Sequence, residues 1–177
     1  MSLLDSLRPR PGLRVLVTAG GSGLGAAVAR AFLEAGAHVH VCDIDRTALG
    51  RLAQEAPAIT SSVADAAVAG DVDLVFDDVR GTLGGLDVLV HGAGIAGPTA
   101  AVESIDLAQW ERTVAVNLTS HFLFARRAVQ LFRQSSQDPA MVVMGSVAGR
   151  LGYGLRTPYA ATRWALIGMV KSLAVEL

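Results

Sequence analysis

The sequence predicts an α/β fold built on a doubly wound parallel sheet. Three observations carry this. Short β-branched runs alternate with longer amphipathic stretches along the chain. A glycine-rich segment, Thr18–Gly25, falls between the first such run and the first amphipathic stretch. Hydrophobic residues make up 51% of the 177 and charged ones only 18%, enough apolar matter to cover a sheet on both faces. The strands are Arg14–Val17, His38–Cys42, Asp87–Val90 and Met141–Met144, with a weaker run at Ala58–Val63. Between them, Leu24, Val28 and Phe32 recur every fourth residue, and Val72, Val75, Phe76 and Val79 follow the helical spacing. Trp110, Val114, Asn117, His121, Phe124, Ala128 and Leu131 line one face of a long helix over Asp106–Ser135. Leu118, Phe122, Ala125, Val129 and Phe132 line a neighbouring face, so this helix is apolar over a wide arc. A last helix starts near Pro158, a residue suited to a first turn, and runs to Leu177. Right-handed crossovers then give a parallel sheet. The pattern ends after five strands, where a complete dinucleotide fold has six in the order 3-2-1-4-5-6, so the sheet is expected to be incomplete at its C-terminal end.

Composition excludes several functions. Fifteen Lys and Arg against 16 Asp and Glu give a net charge of −1, with no basic excess to neutralise nucleic-acid phosphates or an anionic membrane. The longest stretches without a formal charge, Val15–Ala29 and Val88–Val102, fall short of the ~18 apolar residues of a spanning helix. Residues 1–12 read as an extension with no secretory signal, which points to the cytoplasm. Cys42 is the only cysteine, His38 and His40 lie on one strand face, and His91 and His121 have no carboxylate or cysteine companions at ligand spacing, so no metal is expected. The whole chain reads as one domain.

Chemistry is expected at three places. Glycines in Thr18–Gly25 let a backbone turn tightly and approach a pyrophosphate, while the following helix offers free N–H groups and a partial positive charge. Asp43 ends the second strand, 18 residues after Gly25, where a carboxylate accepts both adenosine ribose hydroxyls and repels a 2′-phosphate. Asp45 is the other candidate, and Arg46 would suit a 2′-phosphate if Asp43 turned away. Ser146 follows the fifth strand, Tyr159 opens the last helix 13 residues later, and Arg163 stands one turn beyond it. A cation beside a phenol favours phenolate, and a serine hydroxyl can hold a reacting oxygen.

With TAGGSGLG at Thr18–Gly25, HGAG at His91–Gly94, Asn117, Ser146 and YAATR at Tyr159–Arg163 in this order, the chain resembles the short-chain dehydrogenase/reductase family from Leu13 onward. The resemblance implies a compact, NAD(P)-binding Rossmann domain. It implies that Gly20, Ser22, Gly23, Leu24 and Gly25 hold the pyrophosphate and Asp43 the ribose. Asp65 and Ala66 would flank the adenine, and His91, Ala93 and Gly94 would lie along the cofactor. Asn117 would bulge its helix and position a water, Ser146 would polarise the substrate oxygen, and Tyr159 would move the proton. Arg163 takes the place of the family's lysine, which holds the nicotinamide ribose and lowers the tyrosine pKa; arginine keeps the charge but does not release its proton. His91 and Gly92 replace the family's paired asparagines, removing amides that tie the fourth strand to its neighbours.

These features imply hydride transfer between NAD(H), rather than NADP(H), and a secondary alcohol or ketone. The alternatives are a 3-oxoacyl-thioester reductase using NADPH and a catalytically weakened nucleotide-binding interaction protein. Gly149–Thr157 and Gly97–Ala101 are expected to border the substrate, with Leu151, Tyr153 and Leu155 making it partly apolar. Arg163→Lys should speed the reaction unless its neighbours are fitted to a guanidinium. The resemblance also implies a dimer or tetramer, with Phe122, Leu131, Trp164 and Met169 in core or interface.

Overall fold

A computed structural model describes residues 9–136 and 138–177; most of the N-terminal extension read from the sequence lies outside the described residues. Five parallel strands form one sheet in the order β3-β2-β1-β4-β5: β1 (Arg14–Thr18), β2 (His38–Asp43), β3 (Thr60–Val63), β4 (Val88–His91) and β5 (Ala140–Val143). The helices between them are α1 (Gly23–Glu34), α2 (Arg46–Glu55), α3 (Ala69–Leu83), α4 (Leu107–Val114), α5 (Ser120–Ser135) and α6 (Thr157–Glu176). The sequence-predicted strands are all present, with ends displaced by one or two residues. Asp87 directly precedes β4, and its carboxylate accepts Arg14 Nε at 2.9 Å and pairs with the guanidinium at 2.8 Å.

Strand alternation sorts the core into two layers. Val15, Val17, Val39, Val41, Val88 and Val90 face one way, onto Ala26 and Ala29 of α1 and Leu49 and Leu52 of α2. Leu16, Cys42 and Leu89 face the other way, onto Val72, Phe76 and Val79 of α3 and Phe124 and Leu131 of α5. Each central strand is therefore apolar on both sides, which is why it reads as a continuous run rather than an alternation. β3 is the exception. Its TSSV sequence is weakly apolar and sits at the sheet edge, held by side chains: His40 Nδ1 meets Thr60 Oγ1 and His40 Nε2 meets Ser62 Oγ, both at 2.8 Å.

The long helix predicted over Asp106–Ser135 is three consecutive segments. Asp106 caps α4, and Ala115–Thr119 forms a π-helical turn between α4 and α5. Such a turn inserts an extra residue and re-aims the side chains around it, here Asn117. Two face assignments need correcting. Leu24 is 71% exposed despite its spacing with Val28 and Phe32, because it sits in the exposed first turn of α1. Trp110 lies at the surface rather than in the core, while Leu131 is buried and Phe122 and Trp164 are exposed. No helix among the described residues is long and apolar enough to cross a membrane.

Candidate functional site

The C-terminal ends of β1, β2 and β4 open onto the loop before α1. Ser22 takes the N-cap position with extended backbone and makes no side-chain cap, so the first N–H groups of α1 have no side-chain partner. Gly23 adopts φ +54 with open space where a Cβ would be, and Ser22, Gly23 and Leu24 are exposed. Gly20 and Gly25 have a different job. A Cβ on Gly20 would lie 2.6 Å from the Val41 Cβ, and one on Gly25 would overlap the Ala19 carbonyl. These two glycines let helix and strand approach; the exposed ones leave room for a ligand. Ala19 holds φ 51, a left-handed conformation costly for a residue with a Cβ.

At the end of β2, Asp43 Oδ2 accepts from Gly21 N and Oδ1 from Asp45 N, both at 3.0 Å. The Asp45 carboxylate instead caps α2, accepting from Thr47 N at 2.9 Å and Ala48 N at 3.0 Å. That separates the two candidates left open by spacing: Asp43 faces the glycine loop and Asp45 serves its own helix. Arg46 lines a groove between α2 and α3, next to Ser62 and Asp78, away from the cavity that Asp43 borders.

This smaller cavity, about 170 Å³, is lined by Asp43, Ile44, Asp65, Ala66, Ala93 and Gly94 among others. Asp65 Oδ1 accepts from Ala67 N at 2.9 Å, and Oδ2 takes Arg112 Nη2 at 3.0 Å. Arg112 therefore borders the cavity from α4 and pairs with its acidic wall, a contact between residues 47 apart that no local pattern signals.

His91 behaves differently from its expectation. It is buried, lines neither cavity, and packs against His121 and Phe124 with ring centroids 3.9 and 4.8 Å away. The Thr18 hydroxyl accepts from Gly92 N at 3.0 Å and Ala93 N at 3.2 Å, so its own hydrogen goes to His91 Nδ1. The Nε2 hydrogen of His91 then points to Ser120 Oγ at 3.2 Å, and Ser120 donates to Val116 O at 2.6 Å. Far from losing its ties, the end of β4 is tied to β1 and to the π turn through imidazole and hydroxyl groups. Burial holds His91 and His121 well below the ordinary imidazole range, His121 at about 3. Among the described residues no group of three His, Cys, Asp or Glu forms a metal-ligand cluster.

Asn117 sits on the π turn and makes a two-way pair with one residue: Ile95 N donates to its Oδ1 at 2.7 Å, and its Nδ2 donates to Ile95 O at 2.9 Å. Nδ2 also reaches Thr162 Oγ1 at 3.4 Å. The amide hydrogens are thus committed to protein, leaving the oxygen's second lone pair for any further ligand.

The larger cavity, about 550 Å³, is lined by Ser146, Tyr153, Arg156, Tyr159 and Arg163 together with Gly94 and apolar neighbours. Ser146 caps a short turn over Val147–Gly149. Hydrogen bonding from Ser146, with the positive charges of Arg163 and Arg156, lowers the Tyr159 phenol below its ordinary value of 10 against the opposing effect of burial. Arg163 stacks on Tyr159, its guanidinium carbon 5.0 Å from the ring centroid, and Nη1 donates to Met144 O at 3.1 Å. Its surroundings are fitted to a guanidinium: Arg163 is buried, and a Cβ on Gly94 would run into it. Arg156, not singled out from sequence, also stands over the Tyr159 ring at 5.6 Å. Of the predicted border Gly149–Thr157, Leu151, Gly152, Tyr153 and Arg156 line this cavity; Leu155 and Gly97–Ala101 do not.

An open glycine turn at the N-terminus of α1, a small cavity beside Asp43 and the Ser146–Tyr159–Arg163 cluster lie toward the C-terminal ends of the strands, and the residues present fit a nicotinamide dinucleotide. Comparisons with known proteins agree with this arrangement. The family model described as short chain dehydrogenase matches residues 14–177. A short chain dehydrogenase/reductase of Colletotrichum higginsianum is 35% identical over 168 residues, covering 92% of this chain and 63% of the relative. A 2-(S)-hydroxypropyl-CoM dehydrogenase of Xanthobacter autotrophicus is 32% identical over 170 residues, covering 92% and 64%. A crystal structure of an actinorhodin polyketide ketoreductase variant with NADPH superposes with TM-score 0.88 at 25% identity, covering 99% of this chain and 67% of that one. The chain thus spans a little under two thirds of the length of the curated relatives it matches. By fold, motif order and sequence, this chain belongs to the short-chain dehydrogenases, an oxidoreductase family that uses nicotinamide cofactors.

Proposed function

We propose that the protein catalyses hydride transfer between NAD(H) and a secondary alcohol or ketone. The observation that carries the reading is the Ser146–Tyr159–Arg163 cluster, a phenol hydrogen-bonded to a serine and faced by a buried guanidinium. In this reading the glycine turn Gly20–Gly25 with the N-terminus of α1 binds the pyrophosphate, Asp65 and Ala66 border the adenine, and Ala93 and Gly94 line the path between the two cavities. His91 supports that wall from behind. Bound nicotinamide supplies or accepts the hydride at carbon.

The chain's own residues handle the proton. Ser146 Oγ holds the substrate oxygen, and Tyr159 Oη gives it a proton during reduction or takes one during oxidation. Arg163 stabilises the phenolate left after donation without exchanging its own proton. Asn117 keeps the Gly94–Ile95 backbone in place beneath the site.

Support for NAD over NADP comes from Asp43, whose carboxylate would face a 2′-phosphate at a cost of several kcal/mol. Titration of both cofactors should show tighter NAD binding, and Asp43→Ala should narrow the gap; equal binding by the parent chain would exclude the assignment. We further propose that the protein assembles as a dimer or tetramer through exposed Phe122 and Trp164, with Met169 at the border. A monomer by light scattering at micromolar concentration would contradict this. The reaction itself is tested by following reduced nicotinamide absorbance with a panel of ketones. Tyr159→Phe should abolish turnover and keep cofactor binding, and near-parental turnover in that variant would remove the mechanism.

A further inference from the structure

We infer that Arg156 is the anchor for an anionic group on the substrate, so that the substrates are keto acids or hydroxy acids carrying a carboxylate close to the reacting carbon. The inference rests on the proposed oxidoreductase reading and adds a substrate class to it.

Four observations converge. First, none of the residues lining the 550 Å³ cavity is acidic, whereas two are arginines, Arg156 and Arg163. Second, these two differ in burial rather than in donors spent, since the Nε of each is buried without a partner. Arg163 is buried and donates to Met144 O, while Arg156 is half-buried and lines the same cavity. Third, Arg156 uses little of its donor capacity. A guanidinium carries five N–H donors, and the side-chain hydrogen bond shown is Nη1 to Thr99 Oγ1 at 2.5 Å. Its Nε is buried without a partner, and no carboxylate pairs with it among the described residues.

Fourth, the backbone is strained to place it. Leu155, directly before Arg156, holds φ 60, the left-handed region that a side chain with a Cβ disfavours. The Leu155 carbonyl is pinned by Ala100 N at 3.0 Å, and Arg156 N reaches Tyr153 O at 3.3 Å. Strain of this kind persists only where surrounding contacts enforce it, and it concentrates at ligand sites. The guanidinium carbon then lies 5.9 Å from the Tyr153 centroid and 5.6 Å from that of Tyr159.

Physically, a planar fork with unused donors, set in a cavity with apolar walls and no acidic side chain, selects a carboxylate over a neutral amide of the same shape. Placing that fork beside Tyr159 puts the anion near the carbonyl undergoing reduction. A pure charge-tuning role for Arg156 would instead affect all ketones alike.

The test is binding of a matched pair, levulinate and its neutral amide, to the cofactor-loaded chain by calorimetry. The parent chain should bind the acid at least ~10-fold tighter than the amide. Arg156→Gln should reduce that preference to within ~2-fold, and Arg156→Lys should retain part of it, because a point charge keeps attraction and loses the fork. Thr99→Val removes the contact that holds Arg156 yet leaves its charge, and should preserve the acid preference. Equal binding of the two probes by the parent chain, binding of neither, or an unchanged preference in Arg156→Gln overturns the inference. If Thr99→Val abolishes the preference as completely as Arg156→Gln, the role is structural, which also overturns it. Turnover of the same pair reports separately on the reaction. A chain that prefers the acid and reduces neither ketone supports the anchor and counts against hydride transfer; one that reduces both equally, before and after Arg156→Gln, supports hydride transfer and rejects the anchor.

Discussion

Replacing Gly25 by alanine should damage the cofactor turn more than any other single methyl added to it. An ideal Cβ at this position overlaps the Ala19 carbonyl oxygen, and lies 2.8 Å from its carbon and 3.1 Å from Gly20 Cα, whereas ordinary contact begins at 3.4 Å. All three atoms are backbone, so relief requires the loop and the helix to separate by roughly 1 Å rather than a side chain to rotate, a cost of about 1–3 kcal/mol. Ala19 already holds φ 51, so the loop has little freedom to yield. The helix propensity gained, about 0.5–1 kcal/mol, offsets only part of this. A separation of that size moves the α1 N–H groups away from the pyrophosphate, and misplacement of about 1 Å can cost ~100-fold. Urea unfolding and NADH fluorescence titration measure the two effects, and we expect lower stability with at least ~10-fold weaker binding. Gly50→Ala is the control: it lies in α2 with nothing within 4 Å of the added Cβ, and should stabilise by about 0.5–1 kcal/mol with binding unchanged. Parental stability and affinity in Gly25→Ala would refute the close-approach argument.

Other perturbations have equally definite outcomes. Ala19→Gly removes a left-handed alanine and should raise stability by up to about 1 kcal/mol in thermal unfolding; a loss of stability would show that φ 51 is not strained. His40 is held at about 4 by burial, below the ordinary 6.5, so the unfolded chain binds its proton first as pH falls. Stability from neutral His40 is complete above pH 6.5 and is lost toward pH 4, about 3 kcal/mol in all. Denaturant midpoints should therefore fall across that window and fall less in His40→Gln; a flat profile in the parent chain would contradict the burial. Arg163→Lys should lower stability by about 1 kcal/mol, because Met144 O loses its donor and the space beside Gly94 is shaped for a guanidinium. A Tm equal to or above that of the parent would reject that fit.

How far the sequence carried the reading depends on where each signal is stored. β1, β2 and β4 were legible because burial on two faces demands β-branched runs, β5 from its short apolar run although it is a partly exposed edge strand, and the turn before α1 from its glycines. β3 was faint since its TSSV strand is held by hydrogen bonds to His40 rather than by apolar packing. The ties of His91 and the pairing of Arg112 with Asp65 were invisible, being contacts between residues 73 and 47 apart that depend on tertiary placement. Asp43 was preferred from its place directly after the strand, whereas the capping of α2 by Asp45 needed backbone geometry to see. Arg156 was hidden by its flank: nothing in GLRT announces that Leu155 takes a left-handed conformation and turns the next residue to the cavity.

If Tyr159 moves the proton, its phenol is activated, and ultraviolet titration reads that activation out. The chain has only two tyrosines, so the parent spectrum minus that of Tyr159→Phe isolates one phenolate band. The account predicts a Tyr159 midpoint below the ordinary value of about 10, rising when Arg163→Gln removes the nearer charge and when Ser146→Ala removes the hydrogen bond. A midpoint at or above 10, insensitive to both substitutions, would contradict it.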